Sequence, residues 1–415
     1  MSKTVMAKYG ELFLKSESVQ RFYTKLLTKN IRGVLDAEGI DAEIVLHRGR
    51  ILIGDSAKGD DVNAIAAAVS RVYGIVGLSI AEKTGNDPES LGNAAAELSK
   101  GKLRSGMSFA VRARRSNLKE FTSQELGAAV GDKVYDTVEG LRVDLTNPDY
   151  EVFVEARREG GLVYDEVIEG PGGLPLGTQG RVVSLLSAGI DSPVAAWLVM
   201  KRGSVVTHIH FNGGDHMGAD TRKGALANLC ALSRWTSGHN HEMYEVNVAP
   251  FYDELIKLKN VKNRCIICKR FMLRCTCEIV RRYGYDGIVM GNNLGQVASQ
   301  TIVNMGVIGA AVPSGIPLLQ PLLTYDKEET VRIGRRIGTF RDNVGDVGCR
   351  VVPKHPAVSA ALAEVLEDEK ELDLEGLCEL CLGNTVKYRA VNGEITLNGV
   401  KAHEFRSSGE DGNII

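Results

Sequence analysis

One stretch constrains the fold more than any other. Residues 181–186 are a short, largely apolar run, residues 187–192 read Ser-Ala-Gly-Ile-Asp-Ser, and Pro193 follows at once. A short apolar run bounded by a small-residue turn predicts a buried strand. Ser192 is expected to cap the next helix, with Pro193 at its first position. The pattern then repeats: strands are predicted at 205–211, 242–248 and 286–290, and helices near 222–235 and over 266–283. Asp326 and Glu329 add a D-x-x-E start for a helix ending near Gly338. Strand, loop and helix in alternation predict a doubly wound α/β domain with a parallel sheet.

The loop itself points to phosphate. Small residues at 187–189 let backbone N–H groups approach phosphate oxygens, and the following helix N-terminus adds partial positive charge. In a doubly wound sheet the loop lies at a strand's carboxyl end, where ligands bind. It is neither G-x-x-x-x-G-K-[ST] nor G-x-G-x-x-G, so kinase-type γ-phosphate chemistry is not implied. It resembles the S-G-G-x-D-S signature of PP-loop ATP pyrophosphatases, which cleave ATP between the α and β phosphates; Ala188 replaces the second-position glycine. Ser187, Gly189 and Ser192 are the candidate phosphate ligands. Asp191 is a candidate catalytic residue placing Mg²⁺ on the phosphates, with loop-shaping through its own hydrogen bonds as the alternative.

Residues 159–180 contain seven glycines and two prolines and read as a connector. The region before it is mixed. Residues 43–46 and 50–53 suggest a hairpin closed at Arg48-Gly49, residues 62–76 have helical spacing, and 108–114 and 150–156 alternate as strands do. This predicts α+β units. With 415 residues, 44% hydrophobic and 25% charged, two or three soluble domains are expected. No apolar run reaches the roughly 18 residues of a membrane span, and residues 1–15 lack a signal-peptide core, so a cytoplasmic protein without membrane association is expected.

Eight cysteines without a secretion signal favour metal or redox roles over disulfides. Cys265 and Cys268 form one C-x-x-C, expected to precede the helix that bears Lys269, and Cys378 and Cys381 form another. Two thiols at this spacing can share a metal or form a redox pair. Cys230, Cys275 and Cys277 are read as core.

Several segments together resemble the tRNA 4-thiouridine synthetase family (ThiI-type sulfurtransferases). They are L-L-S-A-G-I-D-S-P-V-A-A at 185–196, K-R-F-M-L-R at 269–274, G-N-N-L-G-Q-V-A-S-Q-T at 291–301 and V-P-K-H-P at 352–356. Residues 321–338, Y-G-E-L-F-L-K at 9–15 and G-I-V-G-L-S-I-A-E-K-T at 74–84 match as well. The resemblance implies a ferredoxin-like domain at 1–60, a THUMP RNA-binding domain at 61–168, a PP-loop domain at 169–360 and a tail at 361–415. It implies that the C4 oxygen of a tRNA uridine, at position 8, is adenylated and replaced by sulfur. Family ATP contacts fall on Leu185, Leu186, His210, Phe211, Lys269, Gly291 and Gln300. Asn292 stands where many members carry an acidic residue.

Cys349 matches the family's catalytic cysteine. Members of archaeal type also carry the C-x-x-C, and there the three cysteines resemble the ligands of an iron–sulfur cluster. For Cys265, Cys268 and Cys349 such a cluster ranks first, a persulfide on Cys349 or Cys265 second, and structural zinc third, since three ligands fall short of four. Only 66 residues follow Cys349, too few for the rhodanese domain of many relatives. Expected partners are tRNA and a sulfur donor, either sulfide or a persulfide protein, with a homodimer as a candidate assembly. Alternatives are sulfur delivery for thiamine thiazole synthesis and a non-catalytic tRNA-binding scaffold. The stretch 100–117 has six basic and no acidic residues; Lys102, Arg104, Arg112, Arg114 and Arg115 are the candidate RNA contacts.

Overall fold

The computed structural model describes residues 2–10, 16–47 and 49–401. Arg48 at the predicted hairpin turn, residues 11–15 of the 9–15 motif and residues 402–415 of the tail lie outside the described residues. The chain forms two compact units, one drawn from residues 1–16 and 38–172, the other from 17–37 and 173–415.

The first unit is α+β. In chain order come β1 (Lys3–Tyr9), then α1 (Glu17–Ala37), which belongs to the second unit, then β2 (Ile44–His47), β3 (Arg50–Ile53), α2 (Val62–Val69) and β4 (Ile75–Thr84). There follow α3 (Pro88–Ser99), β5 (Ser108–Ser116), α4 (Ser123–Tyr135), β6 (Arg142–Val143), β7 (Tyr150–Arg157), β8 (Gly160–Tyr164) and β9 (Ile168–Glu169). The strands form one sheet in the order β2-β3-β1-β4-β8-β7-β5-β6, with β9 beside β4. Local chemistry sets the helix starts. Asp61 and Asp87 cap α2 and α3, and Thr122 with Glu125 forms a full capping box on α4. Leu91, Ala95, Leu126, Val130, Val152 and Val154 interdigitate as the core between α3, α4 and the sheet.

The helix read over 62–76 stops at Val69; Val72 and Tyr73 are fully buried because they lead into β4, not because a helix continues. The first half of the expected connector is sheet, since β8 and β9 lie within 159–180 and pair with β4.

The second unit is the doubly wound domain. It comprises β10 (Arg181–Leu185), α5 (Asp191–Lys201), β11 (Val205–Asn212), α6 (Thr221–Ser233), β12 (His241–Asn247), α7 (Ala249–Leu255), α8 (Arg264–Tyr283) and β13 (Gly287–Val289). Then come α9 (Ile302–Gly309), β14 (Leu318–Leu319), α10 (Lys327–Ile337), α11 (Leu362–Glu369), α12 (Leu374–Gly383), β15 (Val386–Val391) and β16 (Glu394–Lys401). The sheet order is β14-β13-β10-β11-β12-β15-β16; the first five strands are parallel and the last two antiparallel. Chain direction across the sheet reverses at β10, which has β11 on one side and β13 on the other. Loops leaving β10 and β13 therefore diverge and open a crevice at the switch point.

The tail is part of this domain. β15 pairs with β12, and Glu369 of α11 forms a buried ion pair with Arg270 of α8 at 2.6 Å. Phe251 and Phe271 stack at 3.8 Å in the same core.

A pair of imidazoles lies inside the sheet. His208 on β11 and His241 on β12 are both fully buried, with their Nε2 atoms 2.7 Å apart. At that distance one nitrogen donates and the other accepts, so the two rings cannot both be protonated. Burial pushes His241 down to about 3 and His208 well below its ordinary value. The folded state therefore refuses protons that the unfolded chain takes up below about pH 6.5. Stability is full above that pH and falls as pH drops, by about 2–3 kcal/mol per pH unit for the two rings together. Urea unfolding followed by Trp197 and Trp235, which pack edge to face in this unit, should show the decline between pH 6 and pH 5. His208→Leu with His241→Leu should flatten it; an unchanged slope would assign the decline to other groups.

Candidate active site

Around the crevice at the switch point, His210 reaches Leu186, Gly291 lies against Ser192, and Lys269 and Gln300 both reach Asn292. Residues 186–190 leave β10 and turn into α5. Leu186 N–H donates to Ile209 O at 2.8 Å, which ties the loop's start to β11. The cap expected from Ser192 is not made. The helix begins at Asp191, Ile190 precedes it without a side-chain cap, and Ser192 lies inside the first turn. The Ser192 Oγ instead accepts from Ser187 N–H at 2.9 Å and lies 2.9 Å from Ser187 Oγ, which accepts from Gly189 N–H at 3.2 Å. The two hydroxyl oxygens thus satisfy two of the loop's own N–H groups, those of Ser187 and Gly189.

Close packing explains the small residues. A Cβ on Gly224 of α6 would come within 2.5 Å of Ala188 Cβ, so the alanine in the loop is accommodated by a glycine facing it. A Cβ on Gly291, just after β13, would meet Ser192 N and Cα at 2.7 Å. Gly291 is thus required because the start of α5 lies against it.

Asp191 does not stand alone. Its carboxylate is 3.2 Å from Lys327 Nζ at the start of α10 and accepts from Gln296 Nε2 at 3.0 Å. The ammonium occupies a cation's place beside the carboxylate. One carboxylate is also what Mg²⁺ uses when phosphates and water complete its shell, so Asp191 fits that ion. Neither Lys327 nor Gln296 is among the expected site residues. The capping box that starts α10, Asp326 with Glu329, was the sequence signal that placed Lys327 at a helix start.

His210 and Phe211 on β11 are buried, as is Gln300. His210 Nδ1 donates to Leu186 O at 2.9 Å, leaving Nε2 as an acceptor. That nitrogen and Gln300 Oε1 are buried acceptors without a hydrogen-bond partner among the described residues. Buried acceptors without donors are costly, and a ligand amino group would satisfy them. Half-buried Lys269 donates to Asn292 Oδ1 at 3.3 Å, and burial lowers its pKa. Asn292 also bonds Gln320 at 2.8 Å and receives Gln300 Nε2 at 3.4 Å. The amide here thus orders a polar cluster in place of an acidic group.

The C-x-x-C lies in the helix and not before it: α8 starts at Arg264, putting Cys265 and Cys268 on the same element as Lys269. Cys349 arrives on the segment after α10, which runs beside residues 216–220. Gly218 N–H donates to Gly348 O at 2.7 Å, Arg350 N–H to His216 O at 2.9 Å, and Met217 pairs with Cys349 as an isolated bridge. Cys265 and Cys268 are half-buried and Cys349 is exposed. Burial pushes the Cys268 thiol up to about 12, and Cys349 adds to the rise in both Cys265 and Cys268. Tyr252 Oη is 3.4 Å from Cys268 Sγ. Among the described residues no three His, Cys, Asp or Glu converge to hold a single metal ion. An all-thiol set is the donor chemistry that an iron–sulfur cluster takes.

Residues 177–374 match the model of the thiamine biosynthesis protein ThiI, residues 85–165 the THUMP domain and residues 4–79 the ThiI ferredoxin-like domain. A Methanosarcina acetivorans protein named "Probable tRNA sulfurtransferase" is 41% identical, covering 89% of this chain and 90% of its own. One of the same name from Methanosarcina mazei is 39% identical over 91% and 93%. The chain belongs to the ThiI family of tRNA sulfurtransferases. A crystal structure described as a 4-thiouridine synthetase–RNA complex with bound ATP superposes with a TM-score of 0.80 at 28% identity, covering 94% of this chain and 100% of that one.

In this ThiI family member the basic stretch is divided. Lys102 pairs with Asp165, and Arg112 pairs with Glu151 at 2.6 Å and donates to Leu145 O. Arg104, Arg114 and Arg115 are exposed, so their charges are the more available to phosphate. Cys275 and Cys277 are core as expected, whereas Cys230 is only half-buried. The tail pair packs against α8, with Cys381 and Cys378 in the same apolar cluster as Cys275. No helix of the described residues is long and apolar enough to cross a membrane.

Proposed function

We propose that this chain adenylates the C4 oxygen of uridine 8 in tRNA with ATP and then replaces that oxygen with sulfur, giving 4-thiouridine. One observation carries the reading: Lys269, Cys265 and Cys268 share the start of α8, and Lys269 reaches Asn292 just after β13, so one element holds a cation and two thiols at the switch-point crevice.

The loop N–H groups at 187–192 and the amino end of α5 bind the polyphosphate, displacing the two serine hydroxyls. His210 Nε2 and Gln300 Oε1 accept from the base. Asp191 holds Mg²⁺, and Lys269 faces phosphate charge. The uracil O4 attacks the α-phosphorus and pyrophosphate leaves. A carbonyl oxygen is a poor leaving group, and its adenylate is a good one. Sulfur then adds at C4 and AMP departs with the oxygen. Cys265, Cys268 and Cys349 would hold an iron–sulfur cluster, whose chemistry is to present sulfide at the iron that three thiolates leave open. The exposure of Cys349 favours a second route, in which a donor protein loads it as a persulfide. The exposed arginines of the THUMP region set tRNA position through phosphates. This reading places the protein in the cytoplasm.

Nucleoside mass spectrometry of unmodified tRNA incubated with the protein, ATP and sulfide should show 4-thiouridine. Its absence under anaerobic conditions, with iron and labile sulfide confirmed in the protein, would refute the assignment. Colourless, iron-free protein that is active with a persulfide donor would select the second route.

A further inference from the structure

A loop that turns its N–H groups toward phosphate turns its carbonyls the other way, and those carbonyls need donors behind them. Here three consecutive carbonyls are served by two side chains. Asn228 Nδ2 donates to Ser187 O at 2.8 Å and to Gly189 O at 3.3 Å. Between them, Ala188 O accepts from Arg341 Nη2 at 3.4 Å, which also donates to Gly224 O at 3.2 Å. Arg341 Nη1 donates to Asn228 Oδ1 at 3.0 Å. This last bond orients the amide: the oxygen faces the guanidinium, so the nitrogen faces the loop. Asn228 is fully buried on α6, and Arg341 follows α10.

We propose that Asn228 and Arg341 are positioning residues for the nucleotide chemistry, holding the 187–189 carbonyls outward so that the loop's N–H groups face the ATP phosphates. The proposal rests on the adenylation reading and names two residues that the phosphate-loop motif does not contain. Arginine has a further role here. Its three hydrogen bonds go to neutral oxygens, so its positive charge stands directly behind the loop unneutralised by them. A fixed charge in that place stabilises phosphate without reorganising. Lysine carries the charge but not the planar fork that reaches three acceptors at once.

The test is tRNA-dependent pyrophosphate release by the full-length protein. Arg341→Ala should lower kcat/KM for ATP about 100-fold, mainly through KM, with KM for tRNA unchanged. Arg341→Lys should recover only part of the loss, and millimolar guanidinium should partly restore Arg341→Ala while leaving wild type unaffected. Because the two residues share a bond, Asn228→Ala combined with Arg341→Ala should cost less than the sum of the single losses. Unchanged ATP kinetics in a folded Arg341→Ala protein would overturn the proposal, as would parallel rises in both KM values. If Arg341→Ala does not fold, Asn228→Ser carries the same KM split. A wild type that binds tRNA but releases no pyrophosphate would overturn the adenylation reading itself, and this proposal with it.

Discussion

Replacing Asp191 with alanine is expected to lower tRNA-dependent pyrophosphate release about a thousandfold, the scale of losing a group that stabilises transition-state charge. Binding of tRNA should stay within about twofold of wild type, because the candidate RNA contacts lie in the other compact unit. The fold should survive. The carboxylate opens α5 and pairs with Lys327 at 3.2 Å, with the two side chains 20% and 50% exposed respectively. A pair this wet contributes at most about 1 kcal/mol, and the helix-terminus charge adds about as much. Asp191→Asn separates the two readings of this residue. It can keep the hydrogen bond from Gln296 while removing the charge, so a metal role predicts a loss close to that of alanine, and a loop-shaping role predicts near-normal release. A fall in tRNA affinity parallel to the loss of release would show that the substitution unsettles more than the metal.

Cys349→Ala should have the opposite signature. Formation of 4-thiouridine is expected to fall by about 10⁴-fold or more, as when a nucleophile is deleted, while pyrophosphate release persists. The segment is held by its backbone, through Gly348 O and Arg350 N–H, and the thiol itself is exposed, so its removal should change stability by no more than about 0.5 kcal/mol. Pyrophosphate assay and nucleoside mass spectrometry on one reaction read both quantities. Thiolation at the wild-type rate with free sulfide would remove Cys349 from the chemistry under either sulfur route. Loss of pyrophosphate release as well would mean that the segment also shapes the ATP site.

The sequence was most legible where the chemistry is local. A small-residue loop after a buried strand, a D-x-x-E helix start and a run of basic residues each follow from the residues within a few positions. The doubly wound order was therefore readable from the sequence. The errors were local too, and each had a competing cause. Ser192 was read as a cap, but its hydroxyl is engaged by the loop that precedes it. The C-x-x-C was read as preceding a helix, but it forms the helix's beginning, since nothing at 265–268 breaks helical geometry.

What the chain by itself determined is the list of chemical groups and the strand-to-loop-to-helix grammar that places them at carboxyl ends. Tertiary structure alone decided how those groups are supported. Asn228 and Arg341 are far from the loop in sequence and carry no motif, and only the approach of α6, permitted by Gly224 against Ala188, brings them under its carbonyls. Lys327 reaches Asp191 across 136 positions. Such partners are invisible to periodicity because hydrogen-bond satisfaction depends on which surfaces meet, and that is settled only when the sheet order puts β10 between β11 and β13.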